Sequence, residues 1–380
     1  IAGGWQNVPI KEAENGCDIY TTFDANLMDI CETALRKRLE HTQAEWGCVV
    51  LMDVQTGEVK AMSNLDRASD EHYYEIANHS VVRMEPGSTF KTVSLMAALD
   101  DGEIKMSDTI RVYEDGWWYH GAKHKDSHPS DTVYTIRQSL AVSSNIALAK
   151  IVTDGYDGSA KKFVKKLKDM GLCDSVDYTI PGAKQALIQV PKDTVTISKM
   201  AYGYSVELSP LQILMFYNGI ANDGKMIAPL FVKEIRKKGK IIEEYESCVV
   251  NGRMCDASTL QGIRECLHDV VWDNELGTAS VNPWGTRKAQ SDLVSIAGKT
   301  GTAQIREKGY SDSRHRMSFV GYFPEENPEY SCICVIHAPQ WPYDAGLDCG
   351  TVVRQIAEKT MAYAGEYVIK DGDFVLTVRE

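Results

Sequence analysis

The sequence predicts an α/β fold of the α+β kind, in which an antiparallel sheet is flanked by helices and stands beside a helical lobe. Three observations point there. Strand-like apolar runs gather near both ends of the chain, the middle carries mostly helical periodicity, and neighbouring strand-like runs are joined by short, hairpin-like connections. The 380 residues allow two or three structural units at roughly 150 residues each. With 43% hydrophobic and 25% charged residues, the composition is that of an ordinary globular protein.

Residues 1–17 are polar and irregular, and read as a linker. A helix is predicted over 25–39 from the spacing of its apolar residues. The period then changes: two short apolar runs at 47–52 and 58–62, joined by Asp53-Val54-Gln55-Thr56-Gly57, predict a hairpin. Glu85-Pro86-Gly87 punctuates the chain next, and the apolar residues from Phe90 to Leu99 suit a helix with Ser88 at its start. From about 134 to 275 the pattern is mostly helical, including 136–152 and 160–170. Ser209-Pro210 supplies a cap and a first-turn proline for another helix. Strand patterns return at 293–305, 315–323 and 330–337, a closing helix is predicted over 351–364, and residues 366–380 read as a tail or a final strand.

Several function classes are excluded by composition. A net charge of −12 argues against a phosphate-binding groove, so no nucleic-acid partner is expected. The apolar stretch at 146–152 is interrupted by Lys150 and falls far short of a membrane span. The chain begins at Ile1, which leaves open whether an anchor precedes it. The ten cysteines contain no C-x-x-C pair and the nine histidines no H-E-x-x-H, so neither a metal nor a cofactor is expected. Cys332 and Cys334 share one face of a strand and read as small apolar packing groups. His120, His124 and His128 read as solvated loop residues, and Trp117-Trp118-Tyr119 as core or loop packing.

Three short patterns carry the chemistry: Ser88-Thr89-Phe90-Lys91, Ser143-Ser144-Asn145 and Lys299-Thr300-Gly301-Thr302. A serine hydroxyl is a weak nucleophile until a base removes its proton, and a lysine three residues on lies on the same helix face. Lys91 is therefore the candidate base for Ser88. An ordinary lysine, with a pKa of about 10.4, is protonated; burial and a second cation, for which Lys299 is the candidate, favour the neutral amine. Backbone N–H groups at the helix start suit an oxyanion. Ser143 can relay a proton, and Asn145 can offer its amide to a substrate backbone. The third pattern lies in a strand-like run, where an edge can bind an extended peptide, Gly301 lets it approach closely, and the Thr300 and Thr302 hydroxyls can hold a carboxylate. A second S-x-x-K at Ser159 reads as a helix cap, and a second S-x-N at Ser280 as loop.

The ordered set S-x-x-K, S-x-N and K-T-G resembles that of penicillin-binding proteins and serine β-lactamases. The flanking Glu85-Pro86-Gly87, Tyr202-Gly203-Tyr204, Ser209-Pro210-Leu211-Gln212, Ile220-Ala221-Asn222-Asp223-Gly224, the opening Asp18 to Asp24 and the closing Ile356-Ala357-Glu358-Lys359 are similar to the monofunctional class B penicillin-binding proteins. The likeness runs from about 18 to 365, taken as one transpeptidase domain between the linker and the tail. The spacing and the short loop near His124 to His128 resemble the septal, cell-division type. The high cysteine count departs from that pattern.

The resemblance implies a D,D-transpeptidase in which Ser88 attacks the penultimate D-Ala of a peptidoglycan stem ending in D-Ala-D-Ala. The N–H groups of Ser88 and Thr302 would form the oxyanion hole, and β-lactams would acylate Ser88. It further implies a protein on the outer, periplasmic face of a bacterial cell membrane, held by an N-terminal anchor upstream of these residues, with division membrane proteins as partners. A D,D-carboxypeptidase, a β-lactamase and a sensor or scaffold acylated only once are the alternatives.

Overall fold

The computed structural model describes residues 15–69, 72–174, 176, 180–305, 314–340, 342–365, 367–370 and 373–376. Strand β1 (Asp18–Thr21) leads to helix α1 (Ala25–Thr42), where the Asp24 carboxylate accepts from the N–H groups of Asn26 and Leu27. A negative group there satisfies orphan donors and suits the helix dipole. Strands β2 (Trp46–Asp53) and β3 (Val59–Ser69) then pair antiparallel, as the hairpin signal predicts. Asp53 ties their turn by accepting from the N–H groups of Gln55 and Thr56. Strand β4 (His72–Tyr74) extends the sheet beyond β3.

Helix α2 (Phe90–Asp100) opens the helical lobe and is followed by four short strands, β5 (Thr109–Val112), β6 (Trp117–Tyr119), β7 (Ala122–His124) and β8 (Thr132–Thr135). The helix expected over 136–152 is two helices, α3 (Ile136–Ala141) and α4 (Asn145–Gly155). The break falls on Ser143, whose φ is +59°, and Ser144 caps α4 by accepting from the Ala147 N–H. Serine side chains compete for backbone partners, so a Ser-Ser-Asn run both ends one helix and starts the next. Ser159 caps α5 (Ala160–Asp169) through the Lys162 N–H, the role assigned to it from sequence.

After the short α6 (Thr196–Met200), α7 (Pro210–Ala221) begins with Pro210 in its first turn and a reciprocal Ser209–Gln212 capping box. Every residue of α7 is buried, and each fully buried Leu or Phe there contributes roughly 2 kcal/mol. The region up to 275 is not all helical. Strands β9 (Met226–Ile227), β10 (Val232–Lys237), β11 (Lys240–Glu244) and β12 (Val249–Asn251) precede α8 (Ala257–Trp272). The signal was the Lys238-Gly239 turn, both residues at positive φ, between Val- and Ile-bearing runs; such turns match the twist of a hairpin. Strand β10 also pairs with β1.

Strands β13 (Ala297–Gln304), β14 (His315–Phe323) and β15 (Tyr330–His337) complete the main sheet, followed by α9 (Thr351–Tyr363) and a small hairpin of β16 (Tyr367–Lys370) and β17 (Asp373–Leu376). The strand expected from 293 thus begins only at Ala297, and the tail expected over 366–380 contains two strands where one was foreseen. Residues 1–14 of the expected linker, and the tail residues 366, 371–372 and 377–380, lie outside the described residues. The sheet order is β13-β14-β15-β2-β3-β4, antiparallel throughout, so both ends of the chain build it.

Alternate residues of β2 enter opposite cores, as a period of two requires. Cys48, Val50 and Met52 join the helical lobe's core, while Val49 and Leu51 pack under α1 and α9. Cys332 and Cys334 lie in that second core with Cys31 and Cys349, as packing groups. All ten cysteines are free, and burial raises the thiols of Cys31, Cys332 and Cys334 far above their ordinary range. Such thiols are inert.

His120 and His128 are exposed as expected, but His124 is 2% exposed. Its ring meets the Tyr202 hydroxyl at 2.8 Å and the Ser198 hydroxyl at 3.1 Å, and Trp117 packs on it. Alternation in β7 turns it inward while its neighbours face out. Among the described residues, no helix is long and apolar enough to cross a membrane.

Candidate active site

The first motif occupies a turn held from three sides. Gly87 adopts φ +59° and donates its N–H to the carbonyl of Gly203 at 3.2 Å. A side chain at Gly203 would put its Cβ 2.0 Å from the Gly87 oxygen, so only glycine permits this backbone contact. Residues Gly87–Thr89 form a 3₁₀ turn that runs into α2. From the buried α7, the Tyr217 hydroxyl reaches the Thr89 carbonyl at 2.8 Å and Thr92 Oγ1 at 2.7 Å. Glu85 accepts the Ser205 N–H at 2.8 Å. These contacts fix Ser88, half-buried, in the wall of a cleft of about 1510 Å³.

The same cleft is lined by Ser143, Asn145, Thr300 and Thr302. Lys91 and Lys299, 1% and 0% exposed, lie behind Ser143. Lys91 Nζ donates to the Ser143 carbonyl at 2.5 Å and meets Ser143 Oγ at 3.0 Å. Lys299 Nζ meets the same Oγ at 2.9 Å and donates to the Thr300 carbonyl at 3.1 Å. One hydroxyl therefore bridges two amines, and the left-handed backbone of Ser143 aims it between them. Among the described residues, no hydrogen bond joins Ser88 Oγ to Lys91; the amine is engaged by Ser143 instead.

Burial lowers Lys91 to about 7, opposed by the carboxylate of Asp126. Lys299 falls well below its ordinary value, first through burial and then through the charge on Lys91. The repulsion between the two amines is mutual and disfavours protonating both, while the Asp126 carboxylate partly offsets the burial of Lys91. Two cations on one hydroxyl repel strongly in so buried a place, which favours a pair that carries no more than one positive charge near neutral pH.

Gly301 differs from expectation. The direction its side chain would take is filled by Ser318 Oγ at 2.2 Å and Thr89 Cγ2 at 2.9 Å, so its lack of a side chain lets the nucleophile's turn pack on β13 rather than admitting a ligand. Strand β13 is the edge of the sheet, with β14 on its other side. Thr300 Oγ1 meets Thr278 Oγ1 at 2.7 Å, and Thr302 is exposed to the cleft. Asn145 opens α4 and donates its amide to the Lys125 carbonyl at 2.8 Å.

Two contributors were not read from sequence. Asp126 accepts from the Ser144 hydroxyl at 2.7 Å and from the N–H groups of Asn145 at 2.5 Å and Ile146 at 3.0 Å, so it holds the second motif in place and also acts on Lys91. Thr278 comes from the loop after α8. Neither sits in a local pattern, because each reaches the site only through the fold.

The sequence profile of the penicillin binding protein transpeptidase domain matches residues 47–361. The probable peptidoglycan D,D-transpeptidase PenA of Neisseria flavescens is 26% identical over 365 residues, covering 93% of this chain and 84% of the relative. Its counterpart from Neisseria gonorrhoeae is 26% identical, covering 91% of this chain and 57% of the relative, so the chain spans little more than half of that protein. Among solved structures, the TP domain of Burkholderia pseudomallei penicillin-binding protein 3 shares the fold with a TM-score of 0.75 at 24% identity, covering 91% of this chain and 96% of that one. Mycobacterium tuberculosis penicillin-binding protein 3, solved with aztreonam, does so with a TM-score of 0.78 at 23% identity, covering 94% and 82%.

Proposed function

The chain belongs to the penicillin-binding protein transpeptidase domain family, and from that premise we propose that it is a peptidoglycan D,D-transpeptidase working through an acyl-enzyme on Ser88. The observation that carries this reading is the Ser143 hydroxyl held between the Lys91 and Lys299 amines beside Ser88's cleft. In this reading Ser88 Oγ attacks the carbonyl carbon of the penultimate D-Ala of a stem peptide, and its proton passes to neutral Lys91. The backbone N–H groups of Ser88 and Thr302 hold the oxyanion. Thr300 and Thr302 hold the terminal carboxylate, with Asn145 on the peptide backbone. The intermediate collapses, the C–N bond breaks, and the departing D-Ala nitrogen takes a proton relayed from the lysines through Ser143. An amine of a second stem then attacks the ester, its surplus proton passes to Lys91 and on to Ser88 Oγ, and the ester C–O bond breaks as the new amide forms. A β-lactam mimics the terminal dipeptide and stays on Ser88. Support comes from relatives named as D,D-transpeptidases and from a family structure solved with aztreonam.

The decisive assay mixes a donor stem ending in D-Ala-D-Ala with an amine-bearing acceptor stem and separates the products by mass. Cross-linked dimer is expected. Trimmed donor alone would make the protein a carboxypeptidase, and a penicillin adduct without any donor turnover would make it a sensor.

The pH dependence follows from Lys91. Only its neutral form is a base, so the rate of acylation by penicillin rises with pH through about 7 and then levels off. In Asp126→Asn the carboxylate that favours protonated Lys91 is gone, while an amide oxygen still caps α4. The rising limb therefore moves to lower pH, read from acylation rates between about pH 5 and 9; an unmoved limb, or one shifted upward, contradicts the assignment.

The proposal extends to residues 18–365 as the catalytic domain, supported by the pairing of β1 with β10 and the family match. It also places the protein at the septum, outside the cell membrane, on an anchor upstream of these residues and beside division membrane proteins, from the motif spacing and the short loop near His124. A fluorescent fusion of the full-length protein spread evenly along the cell wall would count against that role.

A further inference from the structure

The chain carries a net charge of −12, yet one wall of its cleft is basic. Lys123, Lys125 and Lys199 line it, and among the described residues none of the three has a carboxylate partner. Two carboxylates share the lining, Glu275 and Asp344, and Asp344 is occupied by Lys288 at 2.9 Å. The carboxylate of Asp126, close by, is spent on Ser144 and the start of α4. In a strongly acidic protein, three ammonium groups with no carboxylate partner of their own outnumber Glu275, the one lining carboxylate not taken up by Lys288, and the local excess of positive charge attracts anions.

These lysines are held in place by a buried frame. His124 is pinned between Tyr202 and Ser198, so alternation along β7 turns Lys123 the other way, and Lys125, just past the strand's end, lines the cleft with it. Lys123 is braced over the Trp118 ring at 5.7 Å. Lys199, one residue after Ser198 on α6, is close enough for its charge to act on His124. Burial and that charge lower His124 to about 4, so the imidazole is neutral near pH 7 and adds nothing to the field.

The position of this wall specifies which part of a donor it meets. Lys125 borders Asn145, whose amide it receives on its carbonyl. The Tyr204 hydroxyl accepts the Gln304 N–H at 3.2 Å, so the segment after α6 closes on the far end of β13. A peptide lying along β13 with its terminal carboxylate at Thr300 and Thr302 passes its preceding residues between Asn145 and that end, alongside Lys125 and Lys199.

We propose that Lys123, Lys125 and Lys199 form a subsite for a carboxylate on the donor stem, carried by the side chain of the residue just before D-Ala-D-Ala, so that acidic donors are selected over neutral ones. This rests on the reading of Ser88 as the nucleophile. The test uses two N-acetylated peptides with diaminopimelate before D-Ala-D-Ala, its side-chain carboxylate free in one and amidated in the other. The rate constant kcat/KM for D-Ala release is measured at low and high salt. The free carboxylate is favoured about tenfold at low ionic strength, and the preference shrinks as salt screens the charges. In Lys125→Gln/Lys199→Gln the ratio falls to near one, while Lys161→Gln, on the exposed face of α5, keeps it.

Equal rates for the two donors in the native protein, or a ratio that survives in the double variant, overturn the subsite. Absence of a penicillin adduct on Ser88 would overturn the nucleophile reading instead. If penicillin acylates and neither donor turns over, protection of Ser88 from penicillin by each donor gives the same comparison, and equal protection overturns the subsite.

Discussion

Ser88→Ala leaves no covalent adduct after mixing with penicillin, while the native chain gains the mass of one penicillin molecule. The substitution removes a single oxygen from a residue in the 3₁₀ turn before α2. The turn's own ties run through Gly87, Thr89 and Glu85, not through the Ser88 hydroxyl, and alanine is a strong helix former. Folding should therefore survive, and thermal unfolding should match the native midpoint within a few degrees. Donor turnover should fall at least about 10⁴-fold, because the covalent route is gone and only positioning and the oxyanion site are left. Intact mass and peptide mapping decide the matter; an adduct persisting on the alanine variant, on Ser143 for instance, would remove Ser88 from the mechanism.

Lys91→Met separates activity from stability. Methionine has nearly the same reach and no ionisable group, so the variant loses the base while filling the space. Acylation should slow by about 10³-fold, within the range for removal of a general base. Stability should hold or rise, because a 1% exposed amine is costly to bury and an apolar side chain is not, with the Ser143 carbonyl losing one donor as the offsetting cost. Stopped-flow acylation and a melting curve on the same sample read both effects. Acylation within tenfold of native would mean that another group takes the proton, and Lys299 would be the one to examine.

Much of the fold was legible because its signals are local. The hairpin of β2 and β3, the caps at Ser159 and Ser209 and the closing helix each follow from a few adjacent residues. Local signals also misled: the apolar spacing through 136–152 is helical on both sides of Ser143, and only the Ser-Ser-Asn run marks the break. The site residues were legible as motifs, and the fold brings Ser88, Ser143, Asn145, Thr300 and Thr302 to one cleft with both lysines behind Ser143. Sequence could not assign the job of Gly301, which depends on Ser318 from the neighbouring strand, nor foresee that Asp126 would reach back to α4. It also misplaced His124, since a polar stretch hides one inward-facing position.

The interleaved sheet also has a consequence for how the protein comes into being. Strand β2 needs β15 as its neighbour, with Val50 opposite Ile333, so the hairpin that leaves the ribosome early has one open flank until nearly the whole domain has been translated. During that interval Val49, Leu51 and Ala61, later hidden beneath α1 and α9, have no complete shelter, and such long-range pairing is slow to find. A nascent chain of this kind invites chaperone escort, and a truncated product ending before β15 would be bound for aggregation rather than partial activity.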